Sequence, residues 1–263
     1  MTTDFLPITL KNTANRSIFI AGPCSAESPE QMLLTARQLK AAGIGIFRAG
    51  AWKPRTRPGG FEGYGTRALE WLNTVKQETG MLTATEIGCA AHAELALKAG
   101  IDILWIGART TASPFAVQEI ADCLRGCDIP VMVKNPPCVD IELWEGAIER
   151  LYNCGIRRLA AIHRGFKTTE KNGYRNAPLW DYVSRFRESI PGIPMLCDPS
   201  HMGGCRDKIL PISTEAYLRG YDGLIIESHY NPDSALTDSF QQITPSRIAS
   251  VLSSWLCKEE AVS

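Results

Sequence analysis

SIFIAGPCSAESPEQMLLTARQLKAAGIGIFRAG, residues 17 to 50, decides the fold. It opens with a short β-branched and apolar run, SIFIAG (17–22), and closes with another, GIFRAG (45–50). Each run is long enough for a buried strand and too short for a helix. Between them Ser28-Pro29-Glu30 sets a capping hydroxyl ahead of a proline at the first helical position. Gly43 then follows the apolar-periodic stretch, as a helix-ending glycine does. The stretch reads strand, helix, strand.

The same unit recurs along the chain. Further strand-like runs are LTATEIG (82–88), ILWIGA (103–108), PVMVKN (130–135), RLAAIHRG (158–165), PMLCDPS (194–200) and GLIIESH (223–229). Ser113-Pro114 and Thr244-Pro245 repeat the helix-start signal, and Gly100 repeats the helix-end signal. Eight strands with intervening helices in 263 residues predict an α/β chain folded as a single (β/α)8 TIM barrel, one catalytic unit over residues 1–263. A doubly wound open sheet is the alternative, but no GxGxxG or P-loop follows an early strand. No linker, low-complexity segment or charge block marks a domain boundary.

Composition excludes several classes. The 28 basic and 28 acidic side chains cancel, so nothing suggests a protein built to coat nucleic acid or an anionic membrane. No apolar run approaches the roughly 18 residues of a membrane span, and the N-terminus lacks the pattern of a secretory signal. Nine cysteines are an odd number, and Cys89, Cys154 and Cys197 sit inside apolar runs. They read as reduced, mostly buried thiols of a cytoplasmic protein. Cys123 and Cys127 lack the second pair that a zinc site needs.

In a barrel, functional side chains cluster at the C-terminal ends of strands and in the loops that follow. Cys24, Arg48 with Lys53, Glu86, Arg109, Lys134, His163 with Arg164, His201 and Glu227 all fall there. Cys24, His201, Glu227 and Asp238 would come from strands one, seven and eight, which are neighbours in a closed barrel. A thiolate, an imidazole and two carboxylates suit Mn, Fe, Co or Zn, whereas calcium and magnesium avoid the thiolate. His229 is a nearby substitute for His201, and spacing does not choose between them. Arg48, Lys53, Arg109, Lys134 and Arg164 form the second group. Structural carboxylates such as Glu86, Asp198 and Glu227 could pair with some of them, but not with all. A small substrate carrying phosphate and carboxylate is the better account. Lys167, His163 and Arg206 are further candidates for this group, but read more readily as solvated loop residues.

The segments GPCSAES (22–28), FRAGAWKPRT (47–56), TEIG (85–88), IGAR (106–109), HRG (163–165), DPSH (198–201) and ESHYNPDSALTDSFQQ (227–242) occur in this order. Together they resemble the metal-dependent 3-deoxy-D-arabino-heptulosonate 7-phosphate (DAHP) synthases, in particular the compact type I-beta group. The resemblance implies the first step of the shikimate pathway: condensation of phosphoenolpyruvate with erythrose 4-phosphate. It implies metal ligation by Cys24, His201, Glu227 and Asp238. It implies phosphoenolpyruvate contacts from Arg48, Lys53, Lys134, Arg109 and Arg164, the last two on the phosphate. Arg55 and Thr56 would grip the phosphate of erythrose 4-phosphate. Lys53 is expected to donate a proton to the developing alkoxide, and Glu86 to orient or deprotonate the attacking water.

Two other readings compete. The related 3-deoxy-D-manno-octulosonate 8-phosphate synthases take arabinose 5-phosphate, and typically read KANRS where this chain reads Lys53-Pro54-Arg55-Thr56. A barrel without catalysis, acting as a binding partner, would show a broken site, and every motif position holds a competent residue. The resemblance also implies a homo-oligomer; Trp71, Trp144 and Trp255 on the barrel helices would serve such an interface or simply pack between helices. Only residues 1–16 precede the first strand, and few follow the last helix expected near 245–257, so no regulatory domain is expected within the chain. A chorismate mutase partner domain outside it stays open.

Overall fold

The computed structural model describes residues 4–8, 17–55, 57, 59–170 and 172–260, with side chains to residue 256. Thr56 lies outside them. Eight parallel strands close a barrel in chain order. They are β1 (Ile18–Gly22), β2 (Ile46–Arg48), β3 (Leu82–Ile87), β4 (Ile103–Ile106), β5 (Val131–Lys134), β6 (Leu159–His163), β7 (Met195–Cys197) and β8 (Gly223–Glu227). The seam pairs Ile18 with Gly223 and Gly22 with Glu227. The predicted strands are all present; β1 ends with its run at Gly22, and the other seven end one to three residues before theirs at the functional end. Those last residues have already left the ladder.

Helices cover the outside. They are α1 (Pro29–Ala41), α2 (Thr66–Thr79), α3 (Ala90–Lys98), α4 (Ala108–Thr111), α5 (Pro114–Cys123), α6 (Ile141–Asn153), α7 (Trp180–Ser189), α8 (Pro199–Gly203), α9 (Ile209–Leu218) and α10 (Pro245–Glu260). Ser28 Oγ accepts from Gln31 N, so the first cap is as predicted. Ser113 caps α5 in the same way, and α10 begins at Pro245. Asp140 Oδ1 caps α6 by accepting from Leu143 N, a start the sequence reading did not pick out.

Side chains alternate along a strand, and two apolar layers result. Ile20, Ile46, Ala84, Ile103, Trp105, Met132, Ala160, Ile162, Leu196 and Ile225 fill the barrel, with Ile8 beneath them. Phe47, Leu104, Val133, Ala161, Cys197, Leu224 and Ile226 face the helices. Burying an aliphatic or aromatic side chain of this size contributes about 1.5–3 kcal/mol, so the two layers hold the closed sheet. Continuing the inward register by two residues reaches Arg48, Glu86, Lys134, Arg164, Asp198 and Glu227. A polar ring therefore lies directly on the apolar filling, at the C-terminal end of the barrel.

Two tryptophans take the packing role rather than the interface one. Trp144 is fully buried, stacks on Phe186 at 3.9 Å and donates to Val133 O. Trp255 is 3 % exposed, meets Phe19 and Tyr217 edge-on, and donates to Ser17 Oγ. Trp71 is half-buried against the core. All three bind helices to the barrel. Among the described residues no helix is long and apolar enough to cross a membrane, and eight cysteines are free thiols.

Candidate active site and metal centre

Ligand atoms of Cys24, Glu227 and Asp238 all lie within 4.8 Å of one another. Cys24 follows β1, Glu227 ends β8, and Asp238 stands in the loop between β8 and α10 with φ 48. A non-glycine residue in that left-handed region is held by its surroundings. His201, from α8, stands beside this group of three, with Nε2 3.8 Å from Glu227 Oε1. Asp198 places it: Oδ1 caps α8 by accepting from His201 N at 3.0 Å, and Oδ2 lies 2.8 Å from Nδ1. His229 is turned elsewhere. It stacks on Tyr230, its Nδ1 accepts from Asn231 N, and its Nε2 lies 3.9 Å from Glu27. Of the two histidines, geometry brings His201 to the cluster.

The cluster fits a divalent transition ion. Glu227 is fully buried, its Oε2 accepts from Gln241 Nε2 at 2.5 Å, and its Oε1 has no hydrogen-bond donor. The nearest cations to Oε1 are Arg48 Nη2 at 3.5 Å and His201 Nε2 at 3.8 Å, both too far to satisfy it. A soft thiol, an imidazole and two carboxylates around such an atom match the softer divalent metals. Burial, reinforced by Glu227, pushes the Cys24 thiol up to about 12, with Lys53 opposing. Ligation through sulfur therefore needs a cation strong enough to displace the proton. Burial opposes ionisation of Glu227 and Asp238, yet His201 with Arg48 and Arg175 with His201, respectively, hold both below the usual carboxylate range.

The cations divide into two kinds. Arg48 is buried under the ring, donates to Cys24 O at 3.2 Å and has its guanidinium 4.8 Å from the Trp105 ring centre. Lys134 donates to Asp198 at 2.8 Å. Each of these two thus has the carboxylate partner weighed as the plain explanation of their charge. Lys53 and Arg164 do not pair in this way. Lys53 Nζ lies 3.0 Å from both Cys24 O and Cys24 Sγ. Burial works against its charge, but Cys24, Glu227 and Glu86 hold the ammonium above its ordinary value. Arg164 donates to the neutral Asn176 Oδ1 and Gly165 O, and burial lowers it to about 10, so it stays charged at neutral pH. Arg109 donates to Pro54 O at 3.1 Å.

Lys53, Arg55, Glu86, Arg109, Lys134, Arg164, His201 and Asp238 line one cavity of about 220 Å³, and the buried Arg48 is not on its wall. Glu86 Oε2 accepts from Trp105 Nε1 at 2.9 Å. Gly107 makes room for Glu86: a Cβ there would lie 2.2 Å from Oε1. Two residues read as solvated behave differently. Lys167 also lines the cavity, and His163 is fully buried on the outer face of β6, bonded to Tyr221 Oη at 2.7 Å. Arg206 is as expected outside the cavity wall, but it braces Gln242 O and Ser239 O.

Sequence reading missed Arg175, which lines the cavity and donates to Asp238 Oδ1 at 2.9 Å. It comes from the middle of the loop after β6, away from any strand end. Asp198 and the pair Gln241 and Gln242 were missed as organisers too. Gln242 accepts from Cys24 N at 3.0 Å and donates to Thr237 O at 2.8 Å, tying two ligand loops together.

A family model matches residues 8–262, nearly the whole chain, and its description is the DAHP synthetase I family. The chain belongs to that family. The phospho-2-dehydro-3-deoxyheptonate aldolase of Thermotoga maritima is 36% identical over 225 residues, which is 85% of this chain and 64% of the relative. The chain therefore spans just under two thirds of that family member's length. A solved truncated form of 3-deoxy-D-arabino-heptulosonate 7-phosphate synthase from Thermotoga maritima superposes with a TM-score of 0.84 at 28% identity, covering 98% of this chain and 94% of that one. The 2-dehydro-3-deoxyphosphooctonate aldolase of Nitratidesulfovibrio vulgaris strain DP4 is 28% identical over 86% of this chain and 85% of its own. Both curated relatives are aldolases by name.

Proposed function

We propose that the chain condenses phosphoenolpyruvate with erythrose 4-phosphate and water, giving DAHP and inorganic phosphate, the first step of the shikimate pathway. One observation carries the reading. The Cys24, Glu227 and Asp238 ligand atoms, within 4.8 Å of each other, adjoin a cavity walled by Lys53, Arg109, Lys134 and Arg164. The identity to the Thermotoga heptonate aldolase, and the Lys53-Pro54-Arg55-Thr56 turn, support the four-carbon sugar.

A divalent ion held by Cys24, His201, Glu227 and Asp238 supplies Lewis acidity toward the aldehyde. The protein's own groups do the rest. Arg109 and Arg164 hold the phosphate of phosphoenolpyruvate in paired hydrogen bonds, and Lys134 and Arg48 attract its carboxylate end. Arg55 takes the sugar phosphate. C3 of the enol attacks the aldehyde carbon, and the carbonyl electron pair moves to oxygen, where Lys53 delivers a proton. Positive charge develops at C2, and water adds there while Glu86 orients it and accepts its proton. The C2 hydroxyl then gives up its proton and its oxygen closes the C2 carbonyl as the C2–O bond to phosphate breaks, and phosphate leaves with that electron pair and carries the proton away. Each proton transfer of this kind contributes typically about 10²–10⁴-fold.

The test follows loss of the enol's ultraviolet absorbance with erythrose 4-phosphate, in parallel with arabinose 5-phosphate. Chelated protein and chelated protein resupplied with manganese complete the set. Turnover confined to the four-carbon sugar, lost on chelation and restored by metal, is expected. Turnover of the five-carbon sugar instead would transfer the chain to the octulosonate reaction. Folded, metal-loaded protein inert with both sugars would end the enzyme reading of this chain.

A further inference from the structure

The rings of Trp52 and His92 lie face to face, centroids 4.0 Å apart and planes within 7°. The proposed chemistry uses neither. Trp52 immediately precedes Lys53 in the loop between β2 and α2, and His92 stands in the first turn of α3, just beyond the strand that carries Glu86. His92 Nδ1 accepts from Gly88 N at 3.2 Å, which fixes the ring's orientation and puts the proton of the neutral form on Nε2. Burial lowers its basicity, against the pull of Glu86, so the stacked ring is a flat neutral one.

The loop also bears on Trp52. Gly65, with φ 57, comes so close that a Cβ would lie 3.3 Å from Trp52 Nε1. Lys53 N donates to Glu62 O at 2.8 Å, Arg55 Nε to Phe61 O at 2.7 Å, and Gly65 N to Ala51 O at 3.0 Å. The loop is thereby folded on itself, and the stack ties it to the β3 side of the barrel. A cavity of about 360 Å³ runs along the stack and shares Lys53, Arg55 and Glu86 with the candidate site.

We infer that His92 is a positioning residue for the aldose phosphate: by stacking on Trp52 it sets the angle of the Lys53-Pro54-Arg55 turn. The inference rests on the proposed function. Lys53 keeps two anchors of its own, at Cys24 O and Sγ, so loosening the stack displaces the Arg55 end first. Lys134 and Arg164, on β5 and in the loop after β6, are untouched. His92 therefore acts on the phosphosugar more than on phosphoenolpyruvate, which it reaches through the Arg109 bond to Pro54 O.

Steady-state kinetics of His92→Ala and His92→Phe test this in the metal-loaded full chain. His92→Ala is expected to raise KM for erythrose 4-phosphate about 3- to 10-fold, the range a stacked ring pair supplies. KM for phosphoenolpyruvate should stay within about twofold, and His92→Phe, which keeps a flat ring, should restore the sugar KM. Unchanged KM values, or a parallel rise in both, overturn the inference. So does a His92→Phe enzyme as impaired as His92→Ala, which would assign the effect to the Gly88 hydrogen bond. If His92→Ala does not fold, His92→Leu, bulky but without a ring, takes its place. A wild-type protein inert with both sugars sinks the function instead. Calorimetric titration of erythrose 4-phosphate then decides: weaker binding to His92→Ala than to His92→Phe supports the stack, and equal binding overturns it.

Discussion

Asp198 grips His201 at two points, accepting from its backbone N at 3.0 Å and lying 2.8 Å from its ring Nδ1. The same carboxylate takes the Lys134 ammonium at 2.8 Å while fully buried. Burial alone would raise its pKa, yet His201 and Lys134 hold it well below the ordinary carboxylate value. One aspartate thus orients a proposed metal ligand and a proposed substrate cation.

Asp198→Ala should remove the α8 cap and leave Lys134 buried without its partner. Metal affinity is expected to fall about 10–100-fold, as for other residues that orient a ligating imidazole. Stability should drop by about 3–5 kcal/mol, the cost of breaking a buried pair on one side. Direct metal titration alongside chemical denaturation reads both. Wild-type metal affinity in a folded variant would show that His201 needs no such hold.

Gln242 tests the second brace. Gln242→Leu keeps the volume but drops the bonds to Cys24 N and Thr237 O. Cobalt titration, followed through the thiolate-to-metal absorption band, should show affinity weakened about 10–100-fold. An unchanged titration would mean that the Cys24 and Asp238 loops hold their spacing without it.

Gly107→Ala puts a methyl group where Glu86 Oε1 now stands, 2.2 Å from that atom. The carboxylate must swing away, and kcat is expected to fall by about 10², the contribution of a positioned acid or base. Melting temperature should move little, because the strain is relieved by one side chain. Full activity would remove Glu86 from the proposed chemistry.

His163 predicts an acid-sensitive stability with a definite sign. Burial on the outer face of β6 lowers its pKa from 6.5 to about 3. The unfolded chain binds a proton below 6.5 and the folded chain does not until about 3, so stability is full above 6.5 and lost as pH falls through that window. By about pH 4 the loss is on the order of a few kcal/mol. Denaturation profiles of wild type and His163→Phe should diverge in slope between those limits. Parallel slopes would show that the imidazole is already charged in the folded state.

The barrel was legible in sequence because βα units announce themselves through apolar runs, capping Ser-Pro pairs and terminal glycines. Which way each residue faces was not. Parallel strands are apolar on both sides, so the alternation that would separate inward Arg164 from outward His163 is hidden. Strand ends were overrun for a related reason: Ala49, Gly107 and Asp198 continue the apolar or functional run after the ladder has stopped. His201 and His229 both follow strands, and what separates them is the short α8 helix capped by Asp198. Arg175, Gln241 and Gln242 act from within loops, where no periodicity points to them. Sequence left Trp144 and Trp255 open between an interface and packing between helices, because their burial under neighbouring helices is a tertiary fact.

The polar ring lies one inward step above the apolar filling, so every strand counts its residues in twos. Deleting one residue inside β2 would turn Arg48 toward the helices and bring Phe47 or Ala49 into the barrel. The same deletion in a connection at the opposite end, such as that around Gly43, would leave the count intact. The chain therefore has a reading frame of its own, two residues long, and tolerance to insertion or deletion should follow it: near zero within the eight strands and generous in the turns that enter them.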